Sequence, residues 1–151
     1  MSRSIILNDQ QIKDKIRRIA YQIYESNTKE KEIILAGIQQ NGYVLAQRIA
    51  RALRSISPIE VVLCEIYIDK KKPRNEISTV DDVLNSGTTL IYSARHFLDV
   101  PLKRFKTVVL VNRNHKKYPI KADFKGISLS TSMQEHIYGE FNEKDSLAYL
   151  E

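Results

Sequence analysis

Apolar residues recur along this chain with two different periods. Ile12, Ile16, Ile19 and Ile23 follow at steps of four, three and four, which puts them on one face of an amphipathic helix that Asn8 or Asp9 can cap. Residues 33–38 form a nearly unbroken apolar run before Gln39-Gln40-Asn41-Gly42, the pattern of a strand buried on both faces in a parallel sheet. Leu45, Ile49 and Leu53, with Ala46 and Ala50 beside them, predict a second helix ending before Pro58, and residues 59–66 predict a second buried strand. Parallel strands need a crossover, so this stretch reads as one right-handed strand-helix-strand unit.

Residues 70–74 are a short polar break, and residues 77–80 read as a weaker strand because Ser78 and Thr79 interrupt it. A third helix carries Leu90, Ala94 and Phe97; residues 108–111 are a further buried strand, and residues 112–119 read as a polar, basic loop at its carboxyl end. Ile137 and Phe141 suggest a late strand and residues 147–150 a short apolar end, a tail expected to cap the sheet. The alternation predicts the α/β class, an open parallel sheet flanked by helices in a single domain over residues 1–151. Ligands of such sheets sit outside the carboxyl ends of the strands, so the loops after Ile38, Val80 and Val111 should converge.

Composition narrows the class. With 151 residues, 42% hydrophobic and 28% charged, the chain is expected to be a soluble globular domain. The apolar run at residues 4–7 is too short for a secretory leader or a membrane span, so no membrane partner is expected. Cys64 is the single cysteine, which excludes an internal disulfide and a cysteine-based metal framework and points to a reducing cytoplasm. The net charge of +6 is uneven: residues 101–126 carry +7 and residues 127–151 carry −4. The basic stretch is either a solvated face or a surface that meets an anion.

The chemistry concentrates in residues 81–89. Two adjacent carboxylates, Asp81 and Asp82, stand at a strand end, followed by a polar turn and a helix start. Ser86, Thr88 and Thr89 offer hydroxyls, Gly87 lets backbone approach closely, and the free N–H groups of the first helical turn suit a phosphate monoester. The carboxylates accept hydrogen bonds from vicinal sugar hydroxyls, so a phosphorylated ribose spans the motif. The plain alternative is that Asp82 or Ser86 only caps the helix. His96, His115 and His136 have no metal-ligand spacing, and neither a nucleophile elbow nor a Walker sequence is present.

Val80-Asp81-Asp82-Val83-Leu84-Asn85-Ser86-Gly87-Thr88-Thr89 resembles the phosphoribosyl pyrophosphate (PRPP) signature of type I phosphoribosyltransferases. Arg18-Ile19-Ala20, Gly37-Ile38, Leu110-Val111-Asn112-Arg113-Asn114-His115 and Pro119-Ile120-Lys121-Ala122-Asp123-Phe124 make the wider chain similar to the pyrimidine-operon attenuators that double as uracil phosphoribosyltransferases. The resemblance implies a type I phosphoribosyltransferase fold with a small hood from the terminal segments. It further implies ribose hydroxyls on Asp81 and Asp82 as the catalytic pair and the 5′-phosphate on Asn85, Ser86, Gly87, Thr88 and Thr89. Pyrophosphate would lie at Gln39, Gln40, Asn41 and Gly42, the base near Asn112 and Arg113, and Mg2+ would arrive on PRPP. Transfer to uracil or a related base is the implied reaction, and a homodimer the implied assembly.

The chain departs from that pattern at three places. Gln39, Gln40 and Asn41 are neutral where the family carries basic side chains, residues 69–76 are short where it carries a long closing loop, and Asn112 replaces an acid. A second function class follows: a nucleotide-sensing regulator of weak or absent turnover that binds RNA, with Arg17, Arg18, His115, Lys116 and Lys121 in the regions that match the relatives' basic surfaces.

Overall fold

The computed structural model describes residues 3–67, 80–84, 87–99, 101–113, 115, 118–132 and 135–151, with backbone alone at Val80, Asp81, Asp82 and His96. In chain order the elements are β1 (Ser4–Leu7), α1 (Asp9–Ser26), β2 (Glu32–Ile38), α2 (Asn41–Ile56), β3 (Glu60–Ile66) and β4 (Val80–Leu84). They continue with α3 (Thr88–Phe97), β5 (Val108–Arg113), β6 (Phe124–Leu129), β7 (Ile137–Glu140) and β8 (Leu147–Leu150).

Local chemistry sets the helix ends. Asn8 Oδ1 accepts the Gln11 N–H at 2.9 Å while Gln11 Oε1 accepts the Asn8 N–H at 2.9 Å, a reciprocal cap that starts α1. At its far end Asn27 Nδ2 donates to the Ile23 carbonyl at 2.7 Å. The inward face of α1 is Ile12, Ile16, Ile19, Ala20 and Ile23, and that of α2 is Leu45, Ala46, Ile49, Ala50 and Leu53. Ser57 closes α2 by donating its hydroxyl to the Leu53 carbonyl, and Pro58 follows.

The strands form two parallel ladders and one antiparallel sheet. Glu32 stands opposite Glu60 and Ile38 opposite Ile66 in the β2–β3 ladder. In the second ladder β5 lies between β4 and β6, with Val80 opposite Val108 and Val108 opposite Phe124. β2 packs against β4, and α2 lies across β2, β3 and β4. One core lies between the sheet and the pair α1–α2; a second, built on Ala36, Ile38, Ile66, Leu84, Leu90 and Val109, lies under α3. β1, β8 and β7 make the antiparallel hood, with Leu7, Ile137 and Ala148 turned into the core.

The helices, β2 and β3 match the periodicity, and three boundaries differ from it. β5 continues through Asn112 and Arg113, which are 4% and 6% exposed, instead of opening into a loop after Val111. Ladder partners on both sides, Leu84 and Ser128 opposite Asn112 and Leu129 opposite Arg113, hold these polar residues in the sheet. The described part of β4 runs on through Asp81 and Asp82, expected at a strand end; Ile77, Ser78 and Thr79 of the expected weak strand and the polar break at residues 70–74 lie outside the described residues. Finally, β6 has no periodic signal because Lys125 and Ser128 interrupt its short apolar pattern.

β6 approaches β5 so closely that a Cβ on Gly126 would lie 2.4 Å from the Leu110 carbonyl oxygen. That oxygen belongs to a strand backbone with no room to yield. Gly126→Ala is therefore expected to cost about 1–3 kcal/mol in urea denaturation; an unchanged midpoint would refute this reading of the contact.

Candidate functional site

Two strand-turn-helix corners meet the carboxyl rim of the sheet. At the first, β2 ends at Ile38, Gln39 donates its N–H to the Ile66 carbonyl at 2.7 Å, and Gln40 takes φ 70° and ψ −120° before α2 begins. A positive φ is unfavourable for a residue with a Cβ, so surrounding contacts must hold this turn. They do so at close range: a Cβ on Gly37 would lie 2.5 Å from Tyr43 Cα and 2.8 Å from the Gly42 carbonyl oxygen. Asn41 Nδ2 donates to the Gly139 carbonyl of β7 at 2.8 Å, so the corner is tied to the hood. Gln39 and Gln40 are exposed, Asn41 half-buried and Gly42 buried.

The second corner joins β4 to α3. Gly87 sits in the left-handed region at φ 84°, and a Cβ there would be 2.5 Å from Ile120 Cγ2. Only glycine satisfies both conditions. The Ile91 N–H reaches the Gly87 carbonyl at 2.9 Å, which starts α3 with half-buried Thr88 and Thr89 in its first turn. The backbone of Asp81 and Asp82 runs in β4 just before this corner, while Asn85 and Ser86 lie outside the described residues.

Asn112 and Arg113, expected side by side near a base, divide between two tasks. Asn112 Nδ2 donates to Ser128 Oγ at 3.3 Å, and its buried Oδ1 has no partner among the described residues. Burying an acceptor without a donor is costly, so this oxygen marks a place for a ligand or a water. Arg113 is engaged within the fold: Nε donates to Thr131 Oγ1 at 2.9 Å and Nη2 to the carbonyls of Ser132 and Glu135 at 3.2 and 2.6 Å. His115 Nε2 contacts the Thr131 carbonyl and, at 3.2 Å, Thr131 Oγ1.

The residues expected at a basic surface are spread over separate elements. Arg17 is exposed on α1, its guanidinium 5.9 Å from the centre of the Tyr21 ring, a cation–π contact. Arg18 uses Nη2 on the carbonyls of Lys125, at 2.9 Å, and of Gly126. Lys121 is exposed and Lys116 lies outside the described residues.

A latch between α2 and the hood escaped sequence reasoning. Arg48 donates to Ser146 Oγ and to the Asn142 carbonyl, both at 2.9 Å, and lies 5.2 Å over the Phe141 ring. Asp9 Oδ1 accepts the Ser146 N–H at 3.0 Å and Oδ2 pairs with Lys13 at 2.7 Å. The one visible signal is an arginine between the apolar positions Leu45 and Ile49.

The hydrogen bond from Lys13, and then that from the Ser146 amide, hold the Asp9 carboxyl below its ordinary pKa. A carboxyl depressed in the folded state stabilises above its unfolded pKa and loses that contribution as pH falls through the folded one. Asp9→Asn is thus expected to melt below the parent near neutral pH, with the difference closing from about pH 4 downward; a difference that persists in acid would contradict it.

Comparison with known proteins agrees with these corners. The phosphoribosyl transferase domain matches residues 2–80 and 77–140. The bifunctional protein PyrR of Enterococcus faecalis (strain OG1RF) is 31% identical over 166 residues, covering 96% of this chain and 93% of its own. The PyrR protein of Streptococcus thermophilus (strain LMD-9) is 32% identical over 171 residues, covering 100% and 99%. Among solved structures, the hypoxanthine phosphoribosyltransferase of Trypanosoma cruzi superposes with a TM-score of 0.77 at 15% identity, over 96% of this chain and 95% of that one. A hypoxanthine-guanine phosphoribosyltransferase of Bacillus anthracis gives 0.73 at 19% identity, over 97% and 99%. Identities this low speak to the fold alone, and the fold they share is a parallel sheet under a hood. Because the domain match and the full-length relatives span the same corners that the sheet brings to its rim, this chain belongs to the type I phosphoribosyltransferase family.

Proposed function

We propose that the rim binds PRPP or a nucleoside 5′-phosphate and that the protein transfers the phosphoribosyl group to uracil or a related base. The observation that carries this reading is the Gly87 corner. Gly87 turns the chain in the left-handed region into the start of α3, a few residues after Asp81 and Asp82, and a helix start of this kind suits an anion. In this reading Asp81 and Asp82 take the ribose hydroxyls, and Asn85, Ser86, Gly87, Thr88 and Thr89 take the 5′-phosphate. Gln39, Gln40, Asn41 and Gly42 face the pyrophosphate, and Asn112 offers its unpartnered oxygen to a donor on the base. Departure of pyrophosphate builds positive charge at the anomeric carbon, and in this reading the chain contributes by positioning both reactants at the rim.

Magnesium would arrive on PRPP, held by the ligand's own phosphate oxygens, the hard oxygen donors such a cation takes, and would supply charge neutralisation for the departing pyrophosphate; no side chain of this chain is assigned as its direct ligand. A cytoplasmic homodimer is part of the same proposal.

The neutral first corner favours a second reading. Gln39, Gln40 and Asn41 bring no cation to a departing pyrophosphate, and Asn41 is already engaged with the hood. A protein of this kind would hold nucleotide and turn over poorly, and the resemblance to pyrimidine-operon attenuators suggests RNA as its partner. Exposed Arg17 and Lys121, with Lys116 beyond the described residues, would then meet RNA phosphates, with affinity falling steeply as salt rises.

Calorimetry with PRPP and magnesium, followed by uracil and a pyrophosphate assay, separates the readings. Binding with release is the expected result for the enzyme, and binding without release for the sensor. Asp82→Asn removes a charge-assisted hydrogen bond of about 1.5–3 kcal/mol, so it should weaken PRPP binding by about tenfold or more. A variant that binds PRPP as tightly as the parent would remove the ribose assignment.

A further inference from the structure

Asn112 and Arg113 are consecutive residues of β5, so their side chains leave the strand on opposite faces. While Asn112 keeps an unpartnered oxygen, Arg113 reaches into residues 131–135, the stretch that carries the chain from β6 to the hood. The described residues of this crossing, Thr131, Ser132 and Glu135, belong to no strand, so their carbonyls need donors from elsewhere. The guanidinium supplies them to Ser132 and Glu135, and its Nε holds the Thr131 hydroxyl. Glu135 Oε2 turns back to accept the Ser132 N–H at 2.6 Å, closing the crossing on itself. A buried guanidinium is tolerated when its planar fork of donors is filled, and a lysine would fill fewer of these positions.

The crossing decides where the hood sits. It enters β7 at Ile137, and β7 packs against β4 and gives its Gly139 carbonyl to Asn41 at the first corner. Arg113 therefore joins the end of the central strand to the element standing over the rim.

We propose that Arg113 is a positioning residue that fixes the 131–135 crossing and, through it, the hood over the base side of the rim, without touching the base itself. The inference rests on the rim being a nucleotide site. It separates two parts of binding: in that reading the phosphate lies at the Gly87 corner, between β4 and α3, whereas the base lies under the hood.

The test compares the parent with Arg113→Met, Arg113→Lys, Thr131→Val and the Met/Val double variant, by calorimetry with uridine 5′-monophosphate and with ribose 5-phosphate. Arg113→Met is expected to weaken the nucleotide by about tenfold and leave ribose 5-phosphate within about twofold, with Arg113→Lys in between. Thr131→Val, which removes the hydroxyl that Arg113 Nε and His115 Nε2 both contact, should reproduce part of the loss, and the double variant should fall short of the sum. Hydrogen exchange should quicken in residues 131–140 of Arg113→Met while β2 and β5 keep their protection. A neutral Thr131→Val beside a damaging Arg113→Met would mean that Arg113 contacts the base directly and would overturn the proposal. So would unchanged exchange in residues 131–140. If the parent binds neither ligand, the nucleotide reading fails, and the exchange comparison still decides whether Arg113 fixes the crossing.

Discussion

The apolar seam of α2 holds the two parallel ladders in one layer. Among the described residues β2–β3 and β4–β5–β6 are separate in their hydrogen bonding, yet Leu45, Ala46, Ile49, Ala50 and Leu53 are fully buried across them. Each buried leucine or isoleucine contributes about 1.5–3 kcal/mol relative to exposure, so packing carries a large share of the join. Ala46, Ala50 and Gly37 set its depth, because larger side chains would lift the helix from the strands. The rim corner at Gln39 to Gly42 crowns this helix, so its geometry is a consequence of the seam.

The same helix also governs the hood. Asn41 and Arg48 lie two turns apart on one side of α2 and both reach hood segments, Asn41 the strand β7 and Arg48 the loop before β8. Asp9, at the start of α1, holds Ser146 from the other helix. Core packing and site assembly thus share elements, and a loss in the seam would be felt at the rim before any rim residue changed.

Apolar runs made β2, β3 and most of β5 legible in the sequence, and steps of three and four made α1 and α2 so; exposed Ile34 and Val62 show that β2 and β3 are not buried on both faces throughout, as such runs led one to expect. What escaped was decided by partners distant in sequence. Asn112 and Arg113 read as loop because they are polar, and they remain in β5 because Ser128, Thr131, Ser132 and Glu135 satisfy them. The strand β6 escaped because Lys125 and Ser128 break its pattern, and the hood latch because a single arginine in a helix names no acceptor. The signature at residues 80–89 was legible through residue types, and Gly87 shows why one of them is fixed: φ 84° beside Ile120 admits no side chain.

Arg18 bears on what happens beyond the last strand. Among the described residues β6 pairs with β5 alone, so its other side presents backbone groups on which a foreign strand could template itself. Arg18 occupies the carbonyls of Lys125 and Gly126 there, and α1 packs alongside. A cation read as a contact for RNA thus seals the sheet against aggregation, and a chain lacking it would open an edge for self-association while its rim stayed intact.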